Sequence, residues 1–149
     1  MSGSLKVRIE KAFREHYLGD FDIAGNDIAQ IQMLVSRDQE TNVLPRIHIL
    51  VTAMAKTEGF QGSSVGEFEA EMSIALETSQ DDMTAEANDA LFDDLQGLLV
   101  QTSDLLAALN EADGLHFYLA EVTGTVEEVQ ERTTINAVTL RVLVAEIYE

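Results

Sequence analysis

Apolar residues recur every four positions at the start of the chain. Leu5, Ile9, Phe13 and Tyr17 form one stripe, the spacing of a single helix face. Ser4 is placed to cap that helix and Gly19 to end it, so a helix is predicted over residues 4–17. Residues 20–44 are less patterned; Ile28, Ile31 and Val35 lie at i, i+3 and i+7 and suggest a short helix. After Pro45 the period becomes two. Ile47, Ile49, Val51, Ala53 and Ala55 alternate with Arg46, His48, Thr52 and Lys56, the pattern of a strand with one buried face.

The Gly/Ser-rich stretch Gly59 to Gly66 reads as a hairpin connection. The next strand is the best defined. Phe68, Ala70, Met72, Ile74 and Leu76 share one face, and Glu67, Glu69, Glu71, Ser73 and Glu77 the other. A one-residue slip would bury up to four carboxylates, which specifies the register. From Thr84 to about Asn110 the period returns to 3.6, with Leu91, Phe92, Leu95, Leu98 and Leu99 on one side and Glu86, Asp89, Asp93 and Asp94 on the other. A break near Thr102 to Asp104 separates a second short helix holding Leu105, Leu106 and Leu109, with Ser103 or Asp104 as its cap. Gly114 ends the helical region. A strand over Leu115 to Thr123 follows, then a polar, acidic segment from Gly124 to about Thr134 read as a hairpin tip, then a strand over residues 133–148.

These elements predict a single domain, 1–149, of the α+β class. The expected architecture is a two-layer, four-stranded, mostly antiparallel sheet with helices packed on one face, in the order α-ββ-α-ββ.

Charge alters the picture at the surface. The formal net charge is −18, with 27 Asp and Glu against nine Lys and Arg. Four of those nine, Lys6, Arg8, Lys11 and Arg14, sit in the first fourteen positions. A body so anionic repels nucleic acid and anionic membranes, and the basic helix face fits an acidic surface, including that of a neighbouring copy. With 46% apolar residues the acidity belongs to the surface and does not indicate disorder. There is no Cys, hence no disulfide, thiolate metal site or Cys nucleophile. No run approaches the roughly 18 apolar residues of a membrane-spanning helix, and no apolar leader segment is visible, so an intracellular product is expected.

The motifs of catalysis fail one by one. Asp20 to Gly25 begins like a calcium loop, but Ala24 and Ile31 stand where oxygen ligands are required. His16, His48 and His116 are isolated from one another in sequence. Adjacent carboxylates such as Asp81-Asp82 and Asp93-Asp94 point apart on either a helix or a strand. No nucleophile elbow, phosphate loop or dinucleotide fingerprint occurs. The expectation is a protein without enzymatic activity and without cofactor or metal.

The layout itself, an N-terminal helix, a strand opening Leu44-Pro-Arg-Ile-His-Ile-Leu-Val51, a Gly-rich hairpin, the alternating strand Phe68 to Leu76, an acidic central helix and a terminal strand pair, resembles the tail terminator (tail completion) proteins of long-tailed bacteriophages. The resemblance spans about residues 4–147 and rests on order and size, with no strict motif. It implies a homo-oligomeric ring, a hexamer, that caps the tail tube, stops its polymerisation and presents a surface to the neck or connector protein. Genomic DNA only passes through its channel, and no membrane is involved. The implied location is the head–tail junction of the virion, after assembly in the host cytoplasm.

Three other readings compete: another neck protein of the head-completion or adaptor type, an acidic module that mimics DNA through the carboxylate row of residues 67–77, and an enzyme, against which the absence of Cys, of paired His and of any catalytic motif argues. Under the ring reading the interaction residues are Lys6, Arg8, Lys11 and Arg14 on the helix, Phe60, Gln61, Ser63 and Ser64 in the first hairpin, and Thr125, Glu127, Glu128, Gln130 and Arg132 in the second.

Overall fold

A computed structural model describes residues 4–20, 32–35, 45–57, 66–81 and 84–147. Helix α1 (Leu5–His16) is capped by Ser4, whose hydroxyl accepts the Val7 N–H, and a 3₁₀ turn follows at Leu18–Asp20. Then come β1 (Gln32–Val35), β2 (Arg46–Lys56), β3 (Gly66–Ser79), α2 (Ala85–Leu99), α3 (Thr102–Leu109), β4 (Leu115–Val129) and β5 (Thr133–Glu146). Thr84 caps α2 by accepting the Ala87 N–H at 3.1 Å. Gln101 precedes α3 without a side-chain cap, so neither Ser103 nor Asp104 serves there.

The five strands form one mixed sheet in the order β1-β2-β3-β5-β4. β2, β3, β5 and β4 are antiparallel neighbours, while β1 runs parallel to β2, with Gln32 opposite Arg46 and Val35 opposite Ile49. This corrects the expected four-stranded, mostly antiparallel sheet and its α-ββ-α-ββ order. The missed strand is four residues long, too short to display a period of two, and Val35 belongs to it and not to a helix. Ile28 and Ile31 lie outside the described residues, as do Asp22 to Gly25 of the calcium-like stretch.

Two further corrections concern strand geometry. The alternation of β2 does not run unbroken: the register shifts between Val51 and Ala53, leaving Thr52 as an extra residue. Beyond that bulge Ala53 and Ala55 turn to the face of Glu71 and Glu69, away from Ile47, Ile49 and Val51. β4 does not stop at Thr123. It passes through Gly124 with a register shift at that point and continues to Val129, so the polar segment is strand nearly to its end.

The core lies on one side of the sheet. Ile47, Ile49, Val51, Ala70, Met72, Ile74, Leu76, Phe117, Val138, Leu140, Val142 and Val144 meet Ile9, Phe13, Leu91, Leu95, Leu99, Leu105 and Leu109 of the helices in a single buried cluster. The face of β3 expected to be apolar is the face that packs. Phe13 of α1 meets Phe117 of β4 edge to face, with centroids 6.3 Å apart, which ties the helical layer to the far side of the sheet. Tyr17 donates its hydroxyl to Leu98 O at 2.7 Å at the end of α2. Burial, with Asp104 nearby, raises the Tyr17 phenol above its ordinary pKa.

Candidate interaction surfaces

The basic face of α1 is divided by its partners. Arg8 turns inward: Nη1 meets the Glu146 carboxylate of β5 at 2.6 Å and Nη2 donates to Gly114 O at 3.4 Å. Both side chains of that pair are largely covered, so it fastens the helix to the sheet. Gly114 has φ +76°, in the left-handed region that favours glycine, and a Cβ there would also stand 2.7 Å from Arg8 Nη2. Arg14 donates to Met33 O of β1 at 3.5 Å and lies 3.6 Å from Glu15. Lys6 is exposed and Lys11 half-buried. Lys11 borders a shallow cleft of about 390 Å³ between α1 and the turn before β4, shared with Arg8, Glu15, His16 and Asp113.

The sheet face opposite the helices carries two ionic groups. Glu77 is buried and accepts from Arg46 Nε at 2.7 Å, with His48 Nε2 at 3.3 Å. Burial alone would raise this carboxyl, but the hydrogen bonds and charges of Arg46 and His48 outweigh it and hold its pKa below the ordinary 4.5. Arg141 of β5 bridges Glu69 of β3 at 2.5 Å and Glu121 of β4 at 3.4 Å across three adjacent strands. These side chains are more than two-fifths exposed, and such surface pairs add little to stability. Their consequence is electrostatic: the row of carboxylates from residue 67 to 77 is interrupted by guanidinium groups at both Glu69 and Glu77.

The second predicted hairpin resolves into strand and turn. Thr125, Glu127 and Glu128 lie on β4, and Gln130 and Arg132 lie at the turn. Gln130 N–H donates to Thr133 O at 2.9 Å, which leaves Glu131 and Arg132 as a two-residue connection. Gln80, after β3, fastens this turn: its backbone N–H donates to Arg132 O, and its side-chain amide to Gln130 O and Thr133 O. The structure thus brings Thr125, Glu127, Glu128, Gln130 and Arg132 to one end of the sheet. Of the α1 cations, Arg8 meets the sheet near its other end, where Glu146 and Leu115 pair, whereas Arg14 reaches Met33, in the row of Ile47, Leu76 and Glu127. Phe60, Gln61, Ser63 and Ser64 lie outside the described residues.

Two side chains that sequence reasoning did not single out close the sheet edges. Fully buried Glu10 accepts the Val51 N–H at 2.8 Å, just past the point where β1 ends opposite Ile49. Asn110, after α3, takes the place of a strand against β4: its Oδ1 accepts the Phe117 N–H at 2.6 Å and its Nδ2 donates to Phe117 O at 3.1 Å. Glu10 stands in sequence as one acid among cations, and Asn110 as a helix-end residue. Nothing local marks either as an edge cap.

Between β3, α2 and the far end of β4 lies a polar cleft of about 460 Å³, lined by Thr78, Gln80, Asn88, Asp89, Glu127 and others. Buried Thr78 donates to Asn88 Oδ1 at 2.7 Å within it. Among the described residues no three His, Asp or Glu come together in a way that would hold a metal ion, and no helix is long and apolar enough to cross a membrane. The chain matches no known protein-family model, and no curated protein matches it significantly.

Proposed function

We propose that this chain is a structural protein of a phage virion, a ring-forming tail terminator that caps the tail tube and joins it to the head connector. The observation that carries the reading is the one-sided build of the molecule. The helices among the described residues pack on one face of the sheet, while the distal part of β4 leaves apolar side chains in solvent: Val126, on the opposite face, and Val129, at the rim of the cleft beside α2, are 58% and 66% exposed. A chain that acts by self-association needs exposed apolar surface of this kind, held on a rigid element. The anionic body, with its net charge of −18, suits a channel that DNA must traverse without sticking. The ring assembles from copies of the chain in the host cytoplasm and resides at the head–tail junction of the virion.

Arg141 and Arg46 weigh against the DNA-mimic reading, because each neutralises a carboxylate of the row that such a module would present. The test is functional. Added to polymerising tail-tube protein, the chain is expected to arrest tube growth and to appear at tube ends. Binding to filled heads with no effect on tubes would assign it to another neck position, and tight binding to basic proteins as a monomer would favour the mimic.

A further inference from the structure

The hydrogen-bond parity of the sheet shows which backbone groups face outward at each open edge. In an antiparallel ladder, pairs that exchange hydrogen bonds alternate with pairs that do not, and residues of the latter kind on an edge strand point N–H and C=O away from the sheet. Gln130 bonds to Thr133. Counting back along the register, Glu128–Ile135, Val126–Ala137 and Gly124–Thr139 are bonded pairs. Thr125, Glu127 and Val129 therefore direct their backbone groups outward. On β2, Thr57 bonds to Glu67; with Ala55–Glu69 and Ala53–Glu71 as bonded pairs, Met54 and Lys56 point outward.

The same edges are closed elsewhere. β1 pairs with β2 as far as Ile49, and Glu10 takes the Val51 N–H. Asn110 takes both backbone groups of Phe117. Beyond these caps, none of the described residues pairs with the edge at Met54 and Lys56 or at Thr125, Glu127 and Val129. Edge strands of soluble proteins are usually blunted by Lys, Pro or bulges. Residues 124–129 have no Lys, Arg or Pro and no register shift. Of the six large hydrophobic side chains exposed among the described residues, Met54, Val126 and Val129 lie on these two open stretches.

We propose that the outer edge of β4 from Thr125 to Val129 pairs strand to strand with the outer edge of β2 from Met54 to Lys56 in a second copy of this chain. This rests on the reading of the protein as self-assembling and names the surfaces that do it. Charge selects the pairing. β4 carries Glu127 and Glu128 here, so two β4 edges brought together would oppose like charges; β2 from Arg46 to Lys56 has no acidic residue and offers Lys56. Because the two surfaces differ, the contact is heterologous: each copy uses one edge to bind forward and the other to be bound, which is how rings or filaments form.

Proline at an outward-facing position removes an edge donor and costs no bond within the chain. Glu127→Pro disables the β4 edge, Met54→Pro the β2 edge, and each variant keeps the other edge intact. In sedimentation experiments from micromolar to millimolar concentration, with and without tail tubes, the wild type is expected to assemble. Each variant alone is expected to associate roughly a hundredfold more weakly, and an equimolar mixture should stop at a heterodimer. Far-UV circular dichroism checks that the variants fold. Independently of any variant, hydrogen exchange on wild-type protein should show the amides of Met54, Lys56, Thr125, Glu127 and Val129 slowing on assembly.

Assembly of both variants like the wild type, or unchanged exchange at those amides in the assembled wild type, would overturn the edge pairing and leave the ring reading standing. Homodimers of Met54→Pro would overturn the choice of β2 as partner. A wild type that remains monomeric both alone and with tubes would overturn the self-assembly reading, and the edge pairing with it.

Discussion

Glu10 and Asn110 each satisfy backbone groups that would otherwise face the protein interior without a partner. Removing a buried partner leaves the full desolvation cost of the orphaned group, on the order of 1–3 kcal/mol. Glu10→Ala and Asn110→Ala are each expected to lower the urea midpoint by a loss of that size, with Glu10→Gln losing less because its amide oxygen still accepts from Val51. No change in midpoint would mean the edges need no cap. Glu77 gives a pH signature. Its carboxyl is held below 4.5 in the folded state, so its contribution to stability is complete above the unfolded value and is lost as pH falls through the folded one. The wild type should lose stability more steeply below about pH 4.5 than Glu77→Gln does; parallel curves would show that the Arg46–Glu77–His48 group is not coupled to folding.

At the scale of elements, α1 has two kinds of cation. Arg8 is part of the fold, and Arg8→Gln is expected to cost about 1–3 kcal/mol because a largely covered ion pair is broken. Lys6→Gln with Lys11→Gln should leave stability within about 0.5 kcal/mol and weaken assembly; thermal denaturation and sedimentation separate the two effects. An unchanged assembly would remove the helix from the contact surface. The four cations look alike in sequence, because the partner of Arg8 lies 138 residues away.

The same distinction governs what was legible in the fold. β3 and β5 carry their period of two over many residues, and α1 and α2 have both a stripe and a side-chain cap, so each is readable locally. β1 exists because β2 offers it a parallel edge, and four residues cannot announce that. The bulge at Thr52 hides in a run where Ala53 and Ala55 continue the apolar alternation while already facing the other way. Gly124 suggests a chain break, yet the register shift beside it lets β4 continue. Of the interaction surfaces, the residue types at 125–132 were visible in sequence. That Thr125, Glu127 and Val129 present a backbone edge with no partner among the described residues was not, because edge status belongs to strand order and not to any single strand.

At the scale of the whole molecule, an anionic body carries a sheet that is closed beside its helices and, among the described residues, open elsewhere. Copies carrying a net charge of −18 repel one another at long range, and salt limits that repulsion to about 10 Å at 0.1 M. Association therefore has to come from short-range contacts, the apolar side chains and backbone groups of the open edges. Ring formation is tested most directly by negative-stain imaging of the purified protein mixed with tail tubes, with its mass in the same sample measured by light scattering. Closed rings, free or seated on tube ends, are the expected result. A monodisperse monomer beside bare tube ends would contradict it.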